Sequence, residues 1–194
     1  MITDENKLKS YLSSFGILSD DQIERFVQMA KIKRLAKGDY FIRQGQICKE
    51  ICFVVSGILR SYHVSSKGNE FTYCFTFPFS LMTAYSSFIT QEETRENIQA
   101  LAHVELLLIS KADFENLVDK NQEWQTFLKV IAEREYVALE KRFFKFQQDN
   151  AQERYEDLLQ QQPDFFHHIP LQYLASYLGI TQRHLSRIRA QFQK

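Results

Sequence analysis

Five side chains able to make directed hydrogen bonds fall within six positions near the end of the chain: Gln182, Arg183, His184, Ser186 and Arg187. Thr181 precedes them and Arg189 follows two positions later. At helical spacing they face outward, while Leu185 and Ile188 face back. An Arg fork grips two acceptors on the edge of a guanine, and a Gln amide meets the paired donor and acceptor of an adenine. Arg189 and Lys194 are better placed for phosphates. Phe165 to Lys194 contains four basic residues and no acid. The bland alternative is a solvated cationic helix, which the helix dipole favours at a C-terminus.

The elements that must hold these groups are also legible. Pro170 suits the first position of a helix, where its missing N–H is not needed. Leu171, Leu174, Ala175 and Leu178 share one face of that helix, and Ala175 is small where two helices cross closely. Gly179 supplies the left-handed backbone that ends the helix, and Thr181 is a natural N-cap for the next. Two short helices joined by a tight Gly turn form a helix-turn-helix, a module that puts the N-terminal half of its second helix into the major groove of duplex DNA.

Upstream, residues 8–35 carry a helical pattern, with Asp20 and Asp21 as N-cap candidates for its second piece. From about 32 to 110, β-branched and aromatic runs alternate with turn residues, which predicts an all-β barrel, sandwich or roll. The runs are 40–42, 51–55, 59–64, 70–77, 98–101 and 104–109. A short helix is expected over 111–119, a long one over 121–147 and another over 151–162, ended by Pro163; residues 163–168 read as a connector. In the long helix, Trp124, Phe127, Leu128, Ile131, Ala138 and Leu139 lie on one side and Val130, Val137 and Phe144 roughly opposite. A helix apolar on two sides needs two partners: the β domain and a symmetry mate. The alternative is one broad face buried within a monomer.

Composition narrows the class. With 24 Lys+Arg against 24 Asp+Glu, the 194-residue chain is formally neutral, so only the distribution of charge points to nucleic acid. The first residues are acidic where a signal peptide needs a basic start, and no run of 18 apolar residues occurs, so a soluble cytoplasmic protein is expected. Three cysteines, Cys48, Cys52 and Cys74, without a secretion signal argue against a disulfide framework. The strands lack a His-x-His pair, and there is no Gly-x-Ser-x-Gly or phosphate loop, so no enzyme activity is expected. His63 and His103 read as surface or strand residues, and His167-His168 lacks metal-site spacing. A second class stays open: a ligand-sensing module whose terminal hairpin contacts another protein.

The order β region, long helix, terminal helix-turn-helix resembles the bacterial Crp/Fnr family. Supporting residues are Lys37-Gly38-Asp39 with Ile42 and Gly45, the run Phe53 to Arg60, and Leu106 to Ser110 followed by Asp113-Phe114. The resemblance implies an α+β chain: a cyclic-nucleotide-binding-like β-roll (jelly roll) with flanking helices, a long dimerisation helix and a C-terminal helix-turn-helix. Residues 1–147, including the dimerisation helix at 121–147, would form the sensor domain and 148–194 the DNA-binding domain. It further implies a homodimer that regulates transcription by reading a palindromic duplex, with RNA polymerase as a partner of an activator and no membrane association.

Cyclic-nucleotide binders of this family carry a Gly-Glu-Leu-type segment and a later Arg-Ser/Thr. Aligning the strands puts Thr83 and Ala84 where Gly-Glu would be, and Thr94 and Arg95 near the Arg-Ser pair. Ala84 cannot accept a ribose hydroxyl, and a buried phosphate without a partner is costly. Arg95 would reach the phosphate only if the loop shifts by one residue. Cyclic AMP is therefore not the expected effector; another small molecule, or none, is. No cofactor is predicted. An iron–sulfur cluster usually takes four cysteines, and the chain has three.

Overall fold

Two strand segments, Ile51 to Val55 and Leu106 to Ile109, are apolar without alternation, which marks strands covered on both faces. In the computed structural model, which describes residues 4–192, they are the two central strands of one sheet. That sheet has the order β1–β8–β3–β6, built from β1 (Lys31–Leu35), β3 (Glu50–Ser56), β6 (Ser80–Met82) and β8 (Val104–Ser110). Its pairings are antiparallel, with Phe53 opposite Leu107 on one side and opposite Leu81 on the other. The second sheet has the order β2–β7–β4–β5, from β2 (Tyr40–Ile42), β4 (Leu59–Val64), β5 (Glu70–Thr76) and β7 (Glu96–Ala100). Buried side chains of both sheets, among them Val54, Leu106, Ile42, Leu59 and Ile98, join one core. The arrangement is the expected β-roll.

Helices cover the outer side of the first sheet. These are α1 (Asp4–Ser13), α2 (Asp20–Met29), α4 (Lys111–Val118) and the first turns of α5 (Gln122–Gln148). They meet through aromatic rings: Trp124 stacks on Phe26 at 4.8 Å, Phe127 meets Phe15 at 5.0 Å, and Tyr11 lies 5.4 Å from Phe53. Truncating one such fully buried ring costs about 3–5 kcal/mol. The Trp124 indole N–H has no hydrogen-bond partner among the described residues.

Several local expectations need correction. Lys31–Leu35, read as the tail of a helical segment, is strand β1; its first four residues are not buried, and its charges mark an edge strand. The N-cap of α2 is Ser19, not Asp20 or Asp21: its hydroxyl accepts from the Gln22 amide while the Gln22 side chain accepts from the Ser19 N–H. Strand β6 and helix α3 (Tyr85–Thr90) occupy a stretch that had no assigned element. The 163–168 connector contains the single turn α7 (Asp164–His168). Pro170 is the residue before the helix rather than its first member.

The chain divides into two compact units: residues up to Ser61 with Phe75–Ala132, and Tyr62–Cys74 with Glu133 onward. The second unit thus joins the β4–β5 hairpin to the rest of α5 and to α6 (Ala151–Gln161), α7, α8 (Leu171–Tyr177) and α9 (Gln182–Phe192). Burial changes along α5 in the same way. Trp124 and Phe127 are buried in the first unit, with Leu128 and Ile131 partly so. Beyond Glu133 the apolar side chains Tyr136, Val137, Leu139, Phe143, Phe144 and Phe146 are all exposed. Among the described residues no helix is long and apolar enough to cross a membrane, and no cluster of His, Cys, Asp and Glu could hold a metal.

Candidate nucleic-acid interface

Helix α8 buries Leu174 and Ala175 and ends at Leu178; α9 buries Leu185 and Ile188. These are the side chains expected at the crossing. Between the helices, Gly179 sits at φ +70, the left-handed conformation that Gly adopts without steric cost. The turn is closed by the Ile180 N–H donating to the Ala175 carbonyl at 3.0 Å, a bond that reaches back five residues. Thr181 caps α9: its hydroxyl accepts from the His184 N–H at 3.2 Å and its carbonyl from the Leu185 N–H at 3.0 Å.

The cap aims the first turns of α9 outward. Gln182, Arg183, His184, Ser186 and Arg187 are all exposed, as is Thr181, and Arg189 is half-buried. Ser186 donates to the Gln182 carbonyl at 3.0 Å, which leaves its oxygen free to accept. None of the described residues of α9 is acidic. Lys194 lies outside the described residues.

Groups that the sequence reading missed hold the turn in place. Arg154 of α6 donates through Nε and Nη2 to the Leu178 carbonyl, at 3.2 and 3.1 Å, and so takes up an acceptor left open at the end of α8. Its guanidinium also lies 4.8 Å from the centre of the Phe146 ring, whose edge closes over Gly179. Arg142 packs on Tyr177 at 4.1 Å. Burial pushes the Tyr177 hydroxyl above its ordinary range, and the Arg142 charge acts against that rise. Only the Asn150-x-x-Glu153 spacing was a visible signal: it forms a capping box at the start of α6. Asn150, Ala151 and Gln152 there line one side of a cleft of about 460 Å³, with His184, Arg187 and Gln191 of α9 on the other.

The four residues of the expected ligand segment lie in the first unit. The Thr83 hydroxyl donates to the Glu50 carbonyl at 2.8 Å and lies 3.2 Å from the Cys48 sulfur. Ala84 is fully buried before the first residue of α3. Thr94 is buried, and its hydroxyl accepts from the Glu96 N–H. Arg95, in contrast, is exposed.

Residues 32–121 match the model of the cyclic nucleotide-binding domain family. Solved structures extend the likeness through the helical part. FixK2 from Bradyrhizobium japonicum superposes with a TM-score of 0.74 at 17% identity, over 84% of each chain. A transcriptional regulator of the crp/fnr family from Eubacterium rectale gives 0.74 at 18%, over 95% of this chain and 88% of that one. The catabolite activator protein of Thermus thermophilus gives 0.57 at 19%, over 91% and 84%. Comparison with curated protein sequences gives no match. The chain therefore carries a cyclic-nucleotide-binding-type roll, and it has the fold of the Crp/Fnr regulators.

Proposed function

We propose that the chain is a transcriptional regulator acting in the cytoplasm, which reads a palindromic DNA site as a homodimer. The observation that carries this reading is the outward row Gln182, Arg183, His184, Ser186 and Arg187, on the first turns of a helix whose other face is locked by Leu185 and Ile188. Arg183, Arg187 and Gln182 would read base edges; Thr181, His184, Ser186 and Arg189 would hold register on the backbone. The resemblance to FixK2 and to a crp/fnr-family regulator supports the same assignment.

Dimerisation would use the exposed stripe of α5. Tyr136, Leu139, Phe143 and Phe146 recur at helical spacing, with Val137 and Phe144 beside them. Two copies would present their recognition helices about one DNA turn apart, roughly 34 Å. A signal in the roll would then act by resetting that separation. Cyclic AMP does not suit the four residues Thr83, Ala84, Thr94 and Arg95: Ala84 offers no acceptor, the Thr83 hydroxyl is already engaged, and Arg95 points to solvent. Another small molecule, or none, would be the effector.

The test is selection from a randomised duplex pool at two salt concentrations, followed by anisotropy binding. Enrichment of a palindrome, with affinity falling steeply as salt rises, is the expected result. Arg187→Ala should lose about 1–3 kcal/mol of discrimination at one base pair, while Arg189→Ala should weaken all duplexes alike. Equal binding by the wild type and an Arg183→Ala/Arg187→Ala double variant would refute groove reading. Binding at neither salt would favour the protein-contact reading.

A further inference from the structure

Among the described residues strand β5 is the edge of its sheet. At Glu70 and Thr72 a side chain of α8 bonds the backbone of that strand. The Ser176 hydroxyl donates to the Glu70 carbonyl at 2.9 Å and accepts from the Thr72 N–H at 2.9 Å. The Thr72 hydroxyl donates to the same oxygen at 3.0 Å. One donor and two acceptors are all that a serine hydroxyl offers, and all are used. Thr72 itself is buried.

The surroundings make this contact a mounting point. The hairpin is stiffened by the His63 ring stacked on Phe71 across the strands, at 5.2 Å and 16°, and by a turn in which Asn69 and Ser65 bond each other. The next residue on α8, Tyr177, is held on its other side by Arg142 and by the Phe165 ring at 5.6 Å. Helix α8 in turn carries α9 through the buried Leu174, Ala175, Leu185 and Ile188. Tyr62–Cys74 belongs to the same compact unit as these helices although it is a hairpin of the roll.

We infer that Ser176 is a positioning residue for DNA reading: it fixes α8 to the β5 edge, so that movement of the β4–β5 hairpin is passed to the orientation of Arg183 and Arg187. The inference rests on the DNA-binding reading and adds to it a link, within the second unit, between the β4–β5 hairpin and the recognition helix. Ser176 touches no base or phosphate in this scheme; its effect passes through the helix it anchors.

The test uses the full chain and the duplex recovered from the randomised pool. Ser176→Ala should weaken that duplex about five- to tenfold, as loss of one or two net hydrogen bonds requires, and Ser176→Thr, which keeps the hydroxyl, should recover most of the loss. Amide hydrogen exchange supplies a readout that a general loss of stability would not give. Exchange at Thr72 should speed up in Ser176→Ala while Leu174, bonded within its own helix, keeps its rate. Bound duplex should slow Thr72 exchange in the wild type and not in Ser176→Ala. Wild-type affinity in Ser176→Ala alongside lost binding in Arg187→Ala would leave DNA reading intact and overturn this role. Equal weakness of the Ala and Thr variants would overturn it as well, because the hydroxyl would then not be the cause. Failure of the wild type to enrich any duplex would remove both readings together, and is visible before any Ser176 variant is made.

Discussion

Replacing Gly179 by Ala tests the geometry of the reading head at its tightest point. Two costs follow. At φ +70 an L-residue sits in the left-handed region, which costs about 1–2 kcal/mol. The added Cβ would also stand 2.8 Å from both Cε2 and Cζ of Phe146, so the ring must move and loosen its contact with Arg154, at about 1 kcal/mol more. The sum is about 2–3 kcal/mol, a large effect for one methyl group. Urea unfolding followed by far-UV circular dichroism measures it. Removing the ring should separate the two costs: in a Phe146→Ala background, Gly179→Ala should cost only the backbone part, about 1–2 kcal/mol, leaving a coupling of about 1 kcal/mol. A cost below about 0.5 kcal/mol would refute the left-handed turn. Equal costs in both backgrounds would refute the close approach of the Phe146 ring.

Two further outcomes follow from burial. Burial pushes the Glu96 carboxyl up to about 7, so between its ordinary value of 4.5 and that point the folded chain keeps a proton that the unfolded chain releases. Stability should therefore be fully present below that window and fall as pH rises through it; Glu96→Gln should flatten this part of the profile, and an unchanged slope would refute the assignment. Cys48 and Cys52 are each 1% exposed and burial raises the Cys52 thiol, whereas Cys74 is partly open. Alkylation of the native protein with iodoacetamide should therefore reach Cys74 first, and equal labelling of Cys52, read by peptide mass, would contradict its burial.

The helix-turn-helix was legible because Ala175, Gly179, Thr181, Leu185 and Ile188 each state a local requirement, and every requirement points to the same arrangement. The strands that form the middle of the roll were legible for a similar reason: runs such as Cys52 to Val55 satisfy no other period. What escaped was decided by tertiary contacts. Lys31 to Arg34 carries charges that suit a helix tail equally well, and only pairing with Glu105 to Leu108 makes it a strand. Strand β6 has three residues and follows Phe79, a non-glycine residue at φ +67. The outward residues of α9 could be named in advance. Arg154, Phe146, Arg142 and Ser176, which hold the helices in place, could not, because they lie at least 24 residues from a partner or act through surfaces that no local pattern announces.

The only tryptophan of the chain, Trp124, lies wholly inside the first unit, stacked on Phe26 and fully withdrawn from solvent. An indole in so apolar a setting fluoresces toward the blue and shifts red when water reaches it. Its emission therefore reports melting of the roll and is silent about the helices beyond Glu133, whereas the ellipticity of the chain draws on helices of both units. Recording both along one denaturation curve compares the first unit with the whole chain without a label, and coincident midpoints are the result expected if the two units unfold as one.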